Sequence, residues 1–512
     1  MLRQFSRVGF ALLAGCGVMA TAAPADAAGL YFGERGVRPL ARGGAFIAGA
    51  DDLGAIAYNP AGVFDAGEQF LFDASWVRLG SDYTRRAWLE ARDPNTGEVV
   101  GGAERVYPTV TGSSAVLPLP TFAASFRLRP DLVLAVGAFA PSATIMSYPE
   151  SLAGKAAPQR YSLITLEGSA LGVIGAWAGW KPNEKWRLGA GLEFLVGKFE
   201  ATTMFSTCLP DRFLCAQEQP EWDTLTQLSA GPIVAPSGVL GAKFNASPKW
   251  TLGASFHLPF FVRAPATVKT RLPTTPAFET AVQQGDAASI AFDLPWVGSL
   301  GVQYRPIAEL AIEAAAAMQG WGMLDAITVT PKDIELRNVV GFPDPYRFPA
   351  QRIDRSFRDS VSLRLGGEYT MLVGSARLDV RAGASVESSA VPPESLSVLT
   401  LDAPKATVSV GAGLHVGRFR FDAVYAHVFM ATTDVDPRDA RSPLLVPVQA
   451  NAVPHYVNGG QYAASGDVVG LGLTYKFGRA PKLPDSVEPA RDVEVRAVSA
   501  AAREKREPPA VR

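Results

Sequence analysis

Apolar residues alternate with polar or small ones over many short segments of this chain, without any long apolar run. Between 186 and 196 the even positions are apolar, while the odd positions include Arg187 and Glu193. A period of two is typical of strands with two different faces. After residue 28 no run of 18 or more apolar residues occurs, although 48% of residues are hydrophobic. An apolar chain without spanning helices predicts a closed membrane barrel, in which every second side chain faces lipid.

Fourteen segments have this pattern, and tight turns alternate with long loops between them, as in bacterial outer-membrane barrels. A soluble β-sandwich would show similar alternation. Here, however, the charges cluster on a few adjacent strands, and the matching apolar faces are uninterrupted. We therefore predict an all-β fold, a transmembrane antiparallel β-barrel of about 14 strands within residues 67–478. The predicted strands are 68–80, 118–128, 131–140, 160–180, 185–205, 224–245, 249–270, 288–305, 308–322, 357–370, 375–388, 404–416, 418–432 and 462–478.

Residues 1–27 have the composition of a secretory signal peptide. Arg3 and Arg7 precede a stretch of apolar and small residues at 8–23, and Ala-Asp-Ala at 25–27 fits a cleavage site. An alternative is a lipoprotein signal, since Leu-Ala-Gly at 13–15 precedes Cys16. Either signal predicts an exported chain.

The other two cysteines, Cys208 and Cys215, are separated by six residues. In an oxidising compartment this spacing predicts a disulfide that closes a small loop. A metal site is disfavoured because no histidine or second cysteine pair lies nearby in the sequence. The four histidines have neither metal nor triad spacing, so we predict no enzyme, no metal and no cofactor. The formal charge of -1 argues against nucleic acid as a partner.

A glycine-rich stretch precedes the first predicted strand and carries the family signal. It runs from AGLY at 28–31 through GERGVRPLARGGAFIAGADDLGAIAYNPAG at 33–62. This stretch resembles the N-terminal plug of the long-chain fatty acid outer-membrane transporter family (FadL and TodX type), in which Asn-Pro-Ala is the signature of the hatch. Weaker similarities are AVGAFAPSA (135–143), LPWVGSLGVQYRP (294–306) and FRDSVSLRLGGEY (357–369). The resemblance covers about 28–478.

This resemblance implies a hatch at residues 28–66 inside the barrel lumen and passive uptake of hydrophobic compounds, either long-chain fatty acids or aromatic hydrocarbons. Extracellular loops would capture the ligand, and a lumenal pocket gated by the hatch would pass it sideways into the bilayer. The implied hatch and gating residues are Ala28, Gly29, Leu30, Tyr31, Asn59, Pro60 and Ala61. Gly137 and Pro141 are candidates for a lateral opening. The candidate anchors for a ligand anion are Arg364, Arg377, Arg381 and Arg420, although Glu368, Asp379 or Asp422 could pair with them instead.

The expected partners are hydrophobic small molecules, the lipid bilayer and lipopolysaccharide of a Gram-negative outer membrane. The last predicted strand ends in GLGLTYKF, which looks like the signal read by the barrel assembly machinery, and we expect a monomer. Residues 479–512 are rich in Pro, Ala and mixed charge, which predicts a disordered periplasmic tail. Two other functions stay open: a non-selective porin, which needs an open lumen, and an adhesin or receptor that acts through the long loops.

Overall fold

The computed structural model describes residues 35–477, apart from 94–95, 97, 117, 141–144, 209–217, 375 and 448–454. Its main feature is a closed antiparallel barrel of fourteen strands, which confirms the predicted fold class. Strand 1 closes the barrel by pairing with strand 14, from Gln69 opposite Lys476 to Arg85 opposite Gly460. The strands are β1 (Gln69–Arg92), β2 (Pro118–Arg129), β3 (Leu132–Phe139), β4 (Ala170–Trp180), β5 (Trp186–Ser206), β6 (Asp223–Ser247), β7 (Trp250–His257 and Phe260–Arg271), β8 (Ala287–Leu294 and Val297–Ile307), β9 (Leu310–Gln319), β10 (Ser360–Val373), β11 (Ala376–Glu387), β12 (Lys405–Val416), β13 (Phe419–Met430) and β14 (Gly460–Lys476).

Side-chain exposure follows the alternation of the sequence. In β5 the side chain of Leu192 is 56% exposed, whereas that of Glu193 is 2% exposed. Successive side chains of a strand point to opposite faces, so one face meets the bilayer and the other meets the lumen. Arg187 and Glu193 of this strand, which are both buried, therefore lie inside the barrel.

One strand prediction began too early. Residues 160–169, predicted to open a strand over 160–180, form part of a loop, and β4 begins at Ala170. The loop is fixed by the buried Arg160, whose Nε donates to Asp223 at 2.6 Å, and Gly168 has the left-handed φ of +95°. The charge-assisted bond fixes the side chain of Arg160, and the turn at Gly168 separates this loop from the extended backbone of β4.

Two strands predicted as continuous, over 249–270 and 288–305, are each interrupted. In β7 and β8 the pair His257–Val297 is followed by the pair Phe260–Leu294, with two unpaired residues in each strand between them. One of these residues in each strand is a proline, Pro259 or Pro295. Proline has no N–H to donate to a strand ladder, so neither can complete the pairing. We call this interruption (residues 258–259 and 295–296) the seam.

Short elements occupy the N-terminus and the loops. The α-helices are Val37–Leu40 and Val63–Ala66, and the 3-10 helices are Leu53–Ala57, Pro60–Gly62, Pro220–Trp222, Pro276–Phe278, Trp321–Met323 and Pro393–Ser395. The short strands are Val99–Val106, Val110–Ser114, Met146–Ser147, Ser151–Leu152, Lys155–Ala156, Val282–Gln284, Ala326–Pro331, Glu335–Arg337, Tyr346–Arg347, Gln351–Asp354 and Thr433–Val435. Within the described ranges, no helix is long and apolar enough to cross a membrane.

The N-terminal segment, residues 35–66, packs against the inner wall of the barrel and forms part of its core. Phe46, Leu53 and Ile56 are fully buried there and belong to one cluster with inward-facing wall residues such as Val133 and Ile233. Apolar burial therefore contributes to holding this segment in the lumen.

Candidate functional site

Glycines in the barrel strands let the N-terminal segment approach the wall backbone to backbone. A Cβ atom added at Gly189 of β5 would lie 2.2 Å from the Ala61 nitrogen, and one added at Gly366 of β10 would lie 2.1 Å from the Arg42 oxygen. Any larger residue at either position would have to displace one of the two backbones. The inner wall is thus shaped to fit this segment.

Glu313 of β9 is the principal polar anchor of the segment. Its carboxylate is completely buried and accepts hydrogen bonds from the backbone N–H groups of Ile47 (2.6 Å), Ala48 (2.8 Å) and Gly49 (2.9 Å). The Arg42 guanidinium donates to the same carboxylate at 3.0 Å. One wall residue therefore satisfies three consecutive backbone donors and one buried charge.

A second anchor is a cluster of ion pairs on β10, β11 and β13. Arg381, fully buried, donates to Glu368 at 2.6 Å, to Asp422 at 2.7 Å and to Asp379 at 3.0 Å. Arg377 also donates to Asp379, at 3.1 Å, and is 40% exposed. The three carboxylates thus already bind protein cations.

The N-terminal segment joins this cluster through Arg38 and Asp52. Arg38 pairs with Glu368 at 2.8 Å and with Asp51, while the Asp52 carboxylate accepts from Arg420 at 2.6 Å and from the Gly54 N–H at 2.9 Å. Burial alone would raise the pKa of Asp52, but the charges of Arg420 and Arg38 lower it well below its usual range. Asp52 therefore stays ionised and ties the segment to the wall.

Asn59, in the predicted Asn-Pro-Ala signature, is a third anchor. Its Oδ1 accepts from the Ala61 N–H at 3.1 Å, and its Nδ2 donates to the carbonyls of Ile47 (2.8 Å) and Ala242 (3.1 Å). Asn59 thereby caps the 3-10 helix Pro60–Gly62 and forms hydrogen bonds both within the N-terminal segment and to β6. These contacts give Asn59 a structural role.

An apolar cavity of about 410 Å³ lies on the loop side of the barrel interior. Aliphatic and aromatic side chains make up most of its wall, among them Leu195, Phe199, Phe292, Trp321 and Phe357. This volume lies in the range of small-molecule sites, which are concave and mainly apolar with a few polar groups. The cavity can take a hydrophobic ligand of moderate size.

Ion pairs join two loops to β1. The buried Arg85 of β1 binds Glu218 through two hydrogen bonds of 2.5 and 2.7 Å, and the His455 Nε2 contacts Glu218 at 2.5 Å. Burial opposes ionisation, but the bond from His455 and the charge of Arg85 lower the pKa of Glu218 well below its usual range. At neutral pH the loops are therefore held together by a charged network.

A smaller cavity, of about 90 Å³, lies between the N-terminal segment and the wall. Its lining includes Tyr58 of the segment, Arg364 of β10, and Leu258 and Pro295 from the seam. Leu258 also has 47% of its surface exposed. The seam thus lies between this inner cavity and the outside of the barrel.

The other predicted site residues lie in different places. Gly137 has regular partners on both sides, Ala123 in β2 and Gly175 in β4, so no break occurs at this residue. Cys208 is buried and disulfide-bonded. Pro141, Cys215, Cys16, Ala28, Gly29, Leu30 and Tyr31 lie outside the described residues, as do the predicted signal peptide and tail.

Sequence reasoning missed Glu313, Arg355 and the two seam prolines. Glu313 falls within LAIEAAAAM, where a lone acid in an apolar strand was a visible signal of an inward-facing polar contact. Pro259 and Pro295 were also visible as residues that break a central strand. Arg355 had no such signal, since its burial depends on distant parts of the chain.

The family profile described as outer membrane protein transport protein (OMPP1/FadL/TodX) matches residues 18–477, which is most of the chain. No curated protein sequence matches the chain. A Pseudomonas aeruginosa FadL homologue superposes with a TM-score of 0.62 at 17% identity, covering 88% of this chain and 100% of that one. The Pseudomonas putida toluene transporter TodX superposes with a TM-score of 0.54 at 14% identity, covering 88% of this chain and 98% of that one. The CymD monoaromatic hydrocarbon channel superposes with a TM-score of 0.53 at 17% identity, covering 86% of this chain and 97% of that one. At these identities the structures share the fold.

Proposed function

The chain belongs to the family of outer membrane transport proteins described as OMPP1/FadL/TodX, and on this basis we propose that it takes up hydrophobic compounds passively across the Gram-negative outer membrane. The observation that carries the proposal is the apolar cavity of about 410 Å³ in a barrel whose lumen also contains the N-terminal segment. Long-chain fatty acids and aromatic hydrocarbons are the two substrate classes that fit it. The family is one of transporters, not of enzymes.

The cavity suits such a ligand for a simple energetic reason. Removing an apolar chain from water is worth roughly 0.8 kcal/mol for each CH₂ group. The polar lipopolysaccharide layer slows direct entry of such solutes, so a lined apolar path through the barrel lowers the barrier. No energy source is required beyond the concentration gradient.

Uptake assays test this proposal. Cells that lack their own hydrophobic-compound channel should accumulate radiolabelled oleate or toluene faster when they express this chain than when they carry the empty vector. Purified barrel in liposomes should permit little swelling with small sugars, because the N-terminal segment occupies the lumen. Rapid swelling without hydrophobic uptake would favour the non-selective porin.

The N-terminal segment is the proposed hatch. Three anchors, Glu313, Asp52 and Asn59, support the view that residues 35–66 are held in the lumen during transport. We therefore place gating in the residues that precede them, Ala28, Gly29, Leu30 and Tyr31. In this proposal Asn59, Pro60 and Ala61 hold the hatch and do not touch ligand.

We propose the seam as the lateral exit to the bilayer. Each side of the seam stays bonded to its outer neighbour, since the Leu258 N–H donates to the Gly238 carbonyl at 2.8 Å and the Gly320 N–H donates to the Trp296 carbonyl at 2.9 Å. At the seam the pairing between β7 and β8 is missing, and an inner cavity lies directly behind it. The adjoining pairing between β6 and β7 is also interrupted, since no residue pair joins these strands between Ala230–Ala266 and Val239–His257. An opening beside Gly137 and Pro141 is the alternative route.

Replacing both Pro259 and Pro295 by Ala should slow uptake severalfold, because the restored N–H groups let β7 and β8 pair across the seam. Uptake of labelled oleate by expressing cells measures the effect. Pro265→Ala is the matched control, since Pro265 is an exposed residue of β7 that already pairs in register with Ser289 of β8. Unchanged uptake in the double variant would redirect the search to the region of Gly137 and Pro141.

We further infer that the barrel is a monomer that contacts lipid and lipopolysaccharide and is folded by the barrel assembly machinery. Complete closure supports the monomer, since a closed barrel leaves no strand edge to pair with a second copy. The final strand, with its Gly, Tyr and Phe pattern, supports recognition by that machinery.

A further inference from the structure

The large cavity contains very little charge. Among the described residues that line it, only Asp354 and Arg355 are charged. Asp354 is 71% exposed and binds Arg352 at 2.7 Å, so its carboxylate is directed to an exposed partner. Arg355 is different, since its side chain is buried, with 6% of the residue exposed. Among the described residues that line the cavity, Arg355 is therefore the only cationic side chain.

The guanidinium of Arg355 lacks the partners that other buried arginines have. Its Nε has no hydrogen-bond partner, and no hydrogen bond or ion pair of its side chain is found within the described ranges. By contrast, Arg42 binds Glu313, Arg85 binds Glu218 and Arg381 binds three carboxylates. A buried charge without a partner is costly, so proteins retain one where something else supplies the counter-charge.

Arg355 is also fixed in position on the cavity wall. Its backbone N–H donates to the Asp325 carbonyl at 2.8 Å, at the end of the short strand Gln351–Asp354. Two residues further on, Phe357 also lines the cavity and contacts Trp321 edge to face, with ring centroids 6.1 Å apart. Burial lowers the pKa of Arg355 to about 10, so the guanidinium stays charged at neutral pH.

We propose that Arg355 binds the anionic head group of the transported molecule, so that the cavity prefers an alkyl monocarboxylate over a neutral hydrocarbon of the same length. A guanidinium can donate two parallel hydrogen bonds to a carboxylate, and the apolar wall receives the alkyl chain. This inference rests on the proposed transport function and selects fatty acids over hydrocarbons. It also replaces Arg364, Arg377, Arg381 and Arg420 as the anchor, because Arg377, Arg381 and Arg420 bind protein carboxylates and Arg364 lines the smaller cavity.

Calorimetric titration of the purified, full-length barrel in a neutral detergent tests the preference. Decanoate and 1-decanol have the same chain length and differ in charge. We expect decanoate to bind about tenfold or more tightly than 1-decanol, which corresponds to about 1.4 kcal/mol, because only decanoate can form charged hydrogen bonds with the guanidinium. Arg355→Met should remove this difference and leave the affinity for 1-decanol unchanged, while Arg355→Lys should retain part of it.

Arg358→Met is the matched control, because Arg358 is 63% exposed and neither it nor its partner Glu394 lines the cavity. It should leave the decanoate preference intact. The melting temperature of the ligand-free barrel provides a second readout. The melting temperature of Arg355→Met should equal or exceed that of the parent, since the change removes a buried charge that has no partner among the described residues.

Three outcomes would overturn the inference: no preference in the parent, a preference that survives in Arg355→Met, or a lower melting temperature or failed assembly of that variant. The last would show that the guanidinium has a structural partner. If the parent binds 1-decanol with the same affinity as decanoate, only the head-group inference fails. If neither compound binds and cells take up no hydrophobic compound, the transport function itself fails.

Discussion

Replacing Glu313 by Ala is expected to release the N-terminal segment from the barrel wall. The change leaves three backbone N–H groups, those of Ile47, Ala48 and Gly49, without their acceptor, and leaves the buried Arg42 without its carboxylate. Removing one partner of a buried ion pair typically costs about 3–5 kcal/mol. We therefore expect a lower urea midpoint for unfolding and a larger ionic conductance across planar bilayers, because the lumen is less completely filled.

Two further variants bracket this prediction. Glu313→Gln keeps an oxygen acceptor for the backbone donors and loses only the charge, so its effect should be intermediate. Glu184→Ala removes a carboxylate that is 86% exposed in a tight turn and should change neither property. An unchanged midpoint and conductance in Glu313→Ala would mean that the other anchors hold the segment without it.

Gly366→Val is expected to push the N-terminal segment away from β10. The added Cβ would lie 2.1 Å from the Arg42 carbonyl oxygen and 2.8 Å from its carbon, and both atoms belong to the backbone. Overpacking of this kind typically costs about 1–3 kcal/mol, and more where the backbone cannot move. Displacement should expose Arg42, which is buried in the parent and is followed by glycine, so trypsin should cleave the folded variant after Arg42.

The adjacent glycine supplies the control. Gly367 lies on the outer side of β10, and a Cβ there would come no closer than 3.7 Å to the Ala311 oxygen. Gly367→Val should therefore assemble normally and resist trypsin as the parent does. Equal resistance of the Gly366 and Gly367 variants would contradict the close packing of the segment against β10.

Most of the barrel could be predicted from the sequence, because the relevant signals are local. Alternation in β5 and β11 separates lipid-facing from lumenal residues over a few consecutive positions, and the absence of long apolar runs excludes spanning helices. The errors lie where local pattern and long-range contact disagree. Residues 160–169 were predicted as the start of a strand, but they form a loop in which Arg160 binds Asp223 of β6.

The candidate site was less predictable, because its contacts join residues that are far apart in the chain. Glu313 binds a segment more than 260 positions away. The predicted anchors Arg381 and Arg420 are indeed lumenal, but only their positions relative to three carboxylates decide that they are paired. The gating residues 28–31 and Pro141 stay predictions.

The sequence by itself determined a fourteen-stranded barrel, which strand faces meet lipid, and the presence of a glycine-rich N-terminal segment with its Asn-Pro-Ala signature. These features follow from periodicity and backbone chemistry, which depend on residues that are close together in the sequence. Only the tertiary structure decided which buried charges neutralise one another, where the ladder between β7 and β8 fails, and that Arg355 faces an apolar cavity. The reason is that the energy of a buried charge depends on partners brought to it by barrel closure, and no local pattern encodes their distance.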